Sequence, residues 1–132
     1  VSNLDMAFLR IHAPAPLPSV PLADSDQTHL GDQVLTIGSC PLLKQTVSGG
    51  TIIGLGRNRS ATRQGQTQNA LLQTTINLYE GDSGGPLFNN QGGLIGLMTA
   101  KETGADHSSF AIPSNQILEH LKKYLHETNA KK

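Results

Sequence analysis

Five short segments rich in apolar residues follow one another through the middle of the chain, and glycine-containing turns separate them. Segments of this length, composition and spacing are typical of β-strands joined by tight turns. The pattern therefore predicts an all-β body and leaves both a barrel and a sandwich open. The segments are QVLTIGS (33–39), KQTVSGGTIIGLGR (44–57), ALLQTTINL (70–78), GLIGLMTAK (93–101) and SSFAIP (108–113).

Different patterns lie between and around these segments. DMAFLRI (5–11) predicts a buried strand, and the proline-rich APAPLPSVP (13–21) after it predicts an extended linker. The polar stretch at 57–69 predicts an exposed loop. After Pro113, apolar residues recur at intervals of three and four, which predicts an amphipathic helix with Ser114 as its cap. The apolar positions of this helix are Ile117, Leu118, Leu121, Tyr124 and Leu125.

The overall composition excludes some functions. Ten Lys and Arg residues balance ten Asp and Glu residues among the 132, which argues against nucleic acid or an anionic membrane as a partner. Cys40, the single cysteine, excludes an intrachain disulfide; we interpret it as a small buried or half-buried residue, with a reactive thiol as the alternative. No signal-peptide pattern opens the chain. Because Val1 stands so close to a predicted strand, we expect the chain to be cut from something longer.

The string GDSGGPLFNNQGGLIG (81–96) contains the strongest chemical candidate, Ser83. A serine hydroxyl is a weak nucleophile near neutral pH, so acyl transfer needs a base for its proton and donors for the oxyanion. Gly81 has access to backbone angles closed to other residues, which lets its N–H point the same way as that of Ser83. Asp82, if buried, needs a cation or hydrogen-bond donors to stay ionised. A tight turn between strands is the alternative interpretation of these letters.

This string resembles the nucleophile segment of the chymotrypsin-like (trypsin-fold) serine proteases, in which such a turn leads into two strands. NLDMAFLRI (3–11) is similar to the segment around that family's catalytic aspartate. GDQVLTIGS (31–39), QTVSGGTIIGLGR (45–57) and FAIPSNQI (110–117) are similar to second-barrel strands and the closing helix of the HtrA (Deg) branch. The resemblance implies a six-stranded antiparallel β-barrel, the second of a trypsin-like double barrel, with a C-terminal α-helix.

The same resemblance implies roles for individual residues. Ser83 would be the nucleophile of a serine endopeptidase, Asp5 the triad carboxylate, and Gly81, Asp82 and Ser83 the oxyanion-hole loop. A polar residue beside a strand is the alternative for Asp5. In this family a histidine precedes the aspartate. No histidine of this chain stands in the setting that the family uses, so we expect the base from a first-barrel chain or segment; the five are His12, His29, His107, His120 and His126.

The resemblance also implies a division of the chain and a pocket for the substrate. Residues 1–28 would supply a first-barrel strand and the linker, 29–113 the second barrel, and 114–132 the helix and tail. With Asn77 at its floor, the pocket would favour small or medium apolar side chains. Its expected lining consists of Asn77, Leu97, Met98, Thr99, Ala100 and Ala111.

Two functions stay open on these observations. A serine protease of the HtrA type would cleave a polypeptide substrate once the first-barrel histidine is supplied, and its exposed apolar interface would favour that partner or a homo-oligomer. A pseudoprotease would use the barrel as a binding or scaffold module without catalysis. We expect no cofactor, and the histidines show no metal-ligand spacing. The resemblance suggests an extracytoplasmic location, periplasmic or membrane-associated.

Overall fold

In the computed structural model, which describes residues 4–40, 44–60 and 67–130, six strands close into one antiparallel barrel. The order around the ring is β1-β2-β3-β6-β5-β4, so the short strand β4 closes it. The predicted β-barrel with a C-terminal helix is thus confirmed. The elements are β1 (Gln33–Cys40), β2 (Lys44–Ser60), β3 (Thr67–Thr74), β4 (Pro86–Asn89), β5 (Leu94–Lys101), β6 (Ser109–Pro113) and α1 (Ser114–Asn129).

The barrel forms because side chains alternate along its strands and the inward apolar ones fill its interior. In the β1–β2 hairpin, Val34 and Thr36 are buried, while Ile37 lies opposite Val47 on the outer face. Burying each large apolar side chain contributes about 1.5–3 kcal/mol. The interior cluster consists of Val34, Ile52, Leu72, Ile76, Leu78, Leu87, Ile95, Met98 and Ala111.

A second apolar cluster joins the barrel to α1 and to the N-terminal segment. Its buried members are Leu71, Phe110, Ile112 and Ile117, and Met6, Phe8 and Leu97 pack against them. The Phe8 ring also stacks on Tyr124 of α1, with 6.0 Å between ring centroids. The segment around Asp5 is therefore held by this body. Among the described residues no helix is long and apolar enough to cross a membrane.

The strand predicted over residues 5–11 is not formed among the described residues. Leu4 and Asp5 lie in a turn, and residues 7–13 have no strand partner. Leu9 and Ile11 are 87% and 66% exposed rather than buried. A strand needs a neighbour for its backbone hydrogen bonds, and every strand of the ring already has two.

Two further local predictions were wrong for physical reasons. Ser114 does not cap α1: its buried hydroxyl donates to the Ala23 carbonyl at 2.6 Å, and Pro113 occupies the cap position without a side-chain bond. The predicted loop at 57–69 is partly strand, because β2 continues to Ser60 and β3 begins at Thr67. Residues 61–66 of that loop, and the side chain of Cys40, lie outside the described part of the chain.

Candidate active site

Two successive four-residue turns present Ser83 between β3 and β4. In the first, the Asp82 N–H donates to the carbonyl three residues earlier at 3.0 Å, and Gly81 has a φ of 100°. In the second, the Gly85 N–H donates to the Asp82 carbonyl at 3.0 Å, and Gly84 has a φ of 87°. A positive φ at the third position is the signature of a type II turn, which glycine adopts without steric cost. The two glycines therefore hold Ser83 in an exposed position.

Hydrogen bonds to β5 fix this double turn on the barrel. The Gly84 N–H donates to the Met98 carbonyl at 2.7 Å, and the Met98 N–H donates to the Gly85 carbonyl at 2.9 Å. Ser83 Oγ donates to the Thr99 carbonyl at 3.0 Å. The register of β5 with β6 shifts between residues 98 and 100, so residue 99 is the extra residue of a β-bulge. The carbonyl that holds the serine hydroxyl thus belongs to a bulge.

Asp82 is buried beside β1, with 5% of its surface exposed. Its Oδ2 accepts from the Tyr79 N–H at 3.0 Å, while Oδ1 has no hydrogen-bond partner. The carboxylate fits here because Gly38 of β1 has no side chain, and a Cβ built at that position would overlap Oδ1. Among the described residues, the partner of Asp82 is therefore a backbone donor and not a cation.

Three backbone N–H groups at the double turn, those of Glu80, Gly81 and Ser83, have no acceptor among the described residues. Within 4–40, 44–60 and 67–130, the N–H groups of Gly81 and Ser83 make no hydrogen bond, whereas that of Asp82 is used within its turn. The N–H of Asp82 is thus already bonded, and the oxyanion-hole role of the loop formed by Gly81, Asp82 and Ser83 stays a prediction. Free backbone donors beside a nucleophile are the groups that stabilise an oxyanion in acyl transfer.

Asp5 occupies a strained position in the N-terminal segment. Its φ of 53° is uncommon for a residue other than glycine, and its side chain is exposed. The described residues offer no hydrogen bond to its carboxylate and none between it and Ser83. No histidine bonds to either residue in the described ranges: His29 lies near Asp32 and His120 Nδ1 lies near the Gln116 carbonyl.

The barrel and its serine turn match a known protein family. Residues 1–97 match the family described as the trypsin-like peptidase domain. This chain belongs to the trypsin-like peptidase family. The matched region includes both Asp5 and Ser83 and ends within β5.

Curated relatives of this trypsin-like peptidase domain are of the HtrA/Deg type. It is 37% identical over 123 residues to "Putative protease Do-like 14" of Arabidopsis thaliana, covering 90% of this chain and 28% of the relative. It is 37% identical over 119 residues to "Serine protease HTRA2, mitochondrial" of Bos taurus, covering 90% and 26%. The chain thus spans about a quarter of the length of these relatives.

Solved structures agree with this assignment. "HtrA-type protease AlgW with decapeptide" superposes with a TM-score of 0.73 at 33% identity, covering 83% of this chain and 34% of that one. "Crystal structure of Deg5" gives a TM-score of 0.61 at 29% identity, covering 76% and 45%. The barrel is therefore that of HtrA-type relatives in fold as well as in sequence.

The residues expected to line the substrate pocket of this trypsin-like peptidase lie in different environments. Met98 and Ala111 belong to the barrel interior, with 1% and 0% exposed. Leu97 packs on the second cluster, and Ala100 is half-buried on the same strand. Asn77 Nδ2 donates to the Tyr79 hydroxyl at 3.2 Å, while its Oδ1 is buried without a partner. Asn77, Leu97 and Ala100 are thus at least partly accessible, whereas Met98 and Ala111 are core.

One buried polar residue near the serine escaped the sequence interpretation. Gln68 lies in the stretch expected to be an exposed loop, yet it is only 2% exposed. Its Nε2 lies within hydrogen-bond distance of both the Leu4 carbonyl and Thr99 Oγ1. The polar residues on both sides of Gln68 gave no indication that it is buried; the only signal was its position two residues before the apolar run that starts at residue 70.

Proposed function

We propose that this domain carries the nucleophile and the acidic residue of a serine endopeptidase of the HtrA type. Ser83 would attack the peptide carbonyl, Asp5 would orient the base, and a histidine supplied from outside these 132 residues would be that base. The observation that carries the proposal is the double turn, which exposes Ser83 next to two backbone N–H groups without acceptors. The membership of the trypsin-like peptidase family supports the same chemistry.

The reaction follows from these groups. The histidine takes the proton of Ser83 Oγ as the oxygen bonds to the carbonyl carbon, and the carbonyl oxygen becomes an oxyanion. The N–H groups of Gly81 and Ser83 hold that oxyanion, a contribution of about 3 kcal/mol per donor in comparable sites. The histidine then protonates the leaving amine, and the C–N bond breaks to leave an acyl-enzyme. Water deprotonated by the histidine hydrolyses this ester and restores Ser83.

The resting hydroxyl must first turn away from its present acceptor. Ser83 Oγ donates to the Thr99 carbonyl at 3.0 Å, a bond worth about 1 kcal/mol net. A histidine that accepts this proton replaces that bond with one of similar strength. Arrival of the base is therefore expected to reorient the serine at little cost.

The partner carrying the histidine would bind at two exposed apolar side chains near Asp5. Leu9 and Ile11 project from the N-terminal segment with 87% and 66% of their surfaces exposed, only a few residues from Asp5. Exposed apolar side chains of this size favour association. A first-barrel chain or segment that covers them would bring its histidine to the side of the site where Asp5 lies.

The substrate is proposed to be a polypeptide with a small or medium apolar residue before the cleaved bond. Asn77 is uncharged, so the pocket offers no ion pair to Lys or Arg. One structural relative is named with a decapeptide, and one curated relative is named a periplasmic serine endoprotease. Those names support a peptide substrate and an extracytoplasmic location for this protein.

The proposal is tested by covalent labelling of Ser83. We would coexpress this chain with a first-barrel chain that carries its histidine, add a serine-reactive phosphonate, and locate the adduct by peptide mass spectrometry. We expect an adduct on Ser83 that disappears in Ser83→Ala and is reduced in Asp5→Asn. Ser39→Ala, an exposed serine of β1, should label as wild type. An assembled complex that gives no adduct would contradict the proposal.

A pseudoprotease is the second candidate, because Ser83 bonds to a backbone carbonyl and not to a histidine. In that case the assembled complex would bind unfolded polypeptide without cleaving it, and Ser83→Ala would bind as wild type. Peptidase activity that vanishes in Ser83→Ala would exclude this candidate.

A further inference from the structure

Gln68 stands out because a long polar side chain is completely buried between three parts of the fold. It lies in β3 with 2% of its surface exposed. Its Nε2 lies 3.3 Å from the Leu4 carbonyl and 3.4 Å from Thr99 Oγ1, and its Oε1 accepts from Arg59 Nη1 at 3.5 Å. Leaving a buried amide without hydrogen-bond partners destabilises a fold. These three contacts provide partners for both the N–H donors and the oxygen of the Gln68 amide.

Both acceptors of Gln68 belong to segments that carry proposed catalytic groups. Leu4 directly precedes Asp5, and Thr99 supplies the carbonyl that holds Ser83 Oγ. A continuous path of hydrogen bonds therefore leads from the N-terminal segment through Gln68 to the bulge of β5 and on to the serine. Gln68 itself touches neither Asp5 nor Ser83 in any hydrogen bond of the described residues.

The Asp5 segment needs such a fixed point. Asp5 has a left-handed φ of 53°, and residues 7–13 have no strand partner that would fix their register. Phe8 stacks on Tyr124 three residues further on, which holds the segment against α1 and leaves the placement of the Leu4–Asp5 turn to other contacts. The buried Leu4 side chain, the packing of Met6 on the second cluster and the bond from Gln68 to the Leu4 carbonyl supply that placement.

We propose that Gln68 is a positioning residue that sets the placement of Asp5 relative to Ser83. This inference rests on the proposed function, because it assigns to one buried amide the alignment of that function's two catalytic segments. A misplacement of about 1 Å in a catalytic constellation can cost about 10²-fold in rate. Loss of the amide should thus lower the rate of the chemical step without altering substrate binding.

The test compares two glutamines of the same strand. Gln68→Met keeps the length of the side chain and removes its donors, and Gln73→Met does the same to a half-buried glutamine that bonds Glu102 and Ser108 instead. In the assembled enzyme we expect Gln68→Met to lower kcat for a peptide by about ten- to hundredfold with KM within about twofold. Gln73→Met should leave both constants near wild type. Equal effects of the two variants, or a Gln68→Met effect confined to KM, would overturn the proposal.

A second pair of variants tests the contact between Gln68 and Thr99, the residue whose carbonyl accepts from Ser83 Oγ. Thr99→Val removes the Oγ1 acceptor and keeps the carbonyl that holds Ser83, whereas Thr99→Ser keeps both. We expect Thr99→Val to lower kcat, Thr99→Ser to restore it, and the double variant Gln68→Met/Thr99→Val to be little worse than either single one. Fully additive losses would show that the two residues act independently and would contradict the proposal.

NMR relaxation separates this inference from the proposed function. Backbone order parameters of residues 4–8 should fall in Gln68→Met relative to wild type and Gln73→Met, whether or not the protein is active. If wild type is inactive and the order parameters respond in this way, the proposed function fails and the placement role of Gln68 stands. Unchanged order parameters at residues 4–8 reject that role.

Discussion

Gly81 combines a conformational task with a chemical one. Its φ of 100° closes the turn that exposes Ser83, and its N–H, like that of Ser83, has no acceptor among the described residues. Any other residue would be strained there by about 1–3 kcal/mol and would relieve the strain by rotating the peptide. Rotation of that peptide would turn the N–H away from the oxyanion.

We therefore expect Gly81→Ala to lower phosphonate labelling of Ser83 by about 10²-fold or more in the assembled complex. Gly92→Ala provides the control, because Gly92 has a φ of 79° in the β4–β5 turn and nothing within 4 Å of its added Cβ. It should lose comparable stability, measured by urea unfolding, and keep its labelling rate. Similar labelling losses in both variants would show that only stability matters.

Gly38 acts through space rather than through its backbone angles. A Cβ at this position would overlap Asp82 Oδ1, whereas a Cβ at Gly49 on the paired strand β2 has its nearest neighbour, the Val34 carbonyl oxygen, at 3.9 Å. We expect Gly38→Ala to lower the free energy of unfolding by about 1–3 kcal/mol through overpacking. Gly49→Ala should change it by less than about 1 kcal/mol. Urea denaturation of both variants measures these changes. Equal losses of unfolding free energy would show that the Asp82 carboxylate does not lie against Gly38.

Among the elements, the start of α1 is tied to the preceding linker by a set of polar contacts. Asp24 caps the 3-10 turn Ser25–Gln27 by accepting from the Asp26 N–H at 3.0 Å, and it also accepts from Asn115 Nδ2 at 2.7 Å. The Asn115 hydrogen bond, followed by that from Asp26, lowers the pKa of Asp24 below its ordinary 3.8. A lowered carboxyl pKa contributes stability above the ordinary value, and this is lost as the pH falls through the folded-state pKa.

Asn115→Ala should raise the pKa of Asp24 toward its ordinary value. The free energy of unfolding should then depend less on pH below about pH 4, because Asp24 contributes to that dependence only while its pKa is lowered by folding. Carbon-detected NMR titration of the Asp24 carboxyl measures the change. Glu119 is an internal control, since the hydrogen bond from Lys123, and after it the charge of Lys123, lowers its pKa. A shift of both residues in the variant would indicate a wider disturbance of α1.

The elements also show what could be predicted from the sequence and what could not. The apolar segments between glycine turns and the change of period after Pro113 were sufficient for the helix and for five of the six strands of the ring, because both patterns are local, whereas β4 was not among those segments. The prediction for Ser114 was wrong because its hydroxyl donates to a carbonyl 91 positions away. The burial of Gln68 was missed because its partners lie 64 and 31 positions away. Local patterns contain no signal for such bonds. The serine turn was predictable since its glycines lie within two residues of Ser83 in sequence, whereas the accessibility of Met98 and Ala111 depends on barrel closure.

For the whole molecule, the exposed Leu9 and Ile11 predict how the domain behaves alone. The double variant Leu9→Ser/Ile11→Ser should reduce self-association of the isolated chain in light scattering and weaken its binding to a first-barrel chain by tenfold or more, since truncated apolar contacts at interface centres cost about 2 kcal/mol or more. Leu125→Ser, at a half-exposed site on α1, should leave that affinity unchanged. Equal binding of all three proteins would place the partner on another surface.

β4, with only four residues, closes the ring between β5 and β1 directly after the serine turn. If this seam opens, β1 and β5 each lose a neighbour and present unpaired backbone groups, which are templates for pairing between chains. The same event detaches the residues that follow Ser83. We therefore expect aggregation and loss of Ser83 reactivity to begin together on mild heating, and a covalent adduct that braces the turn to delay both.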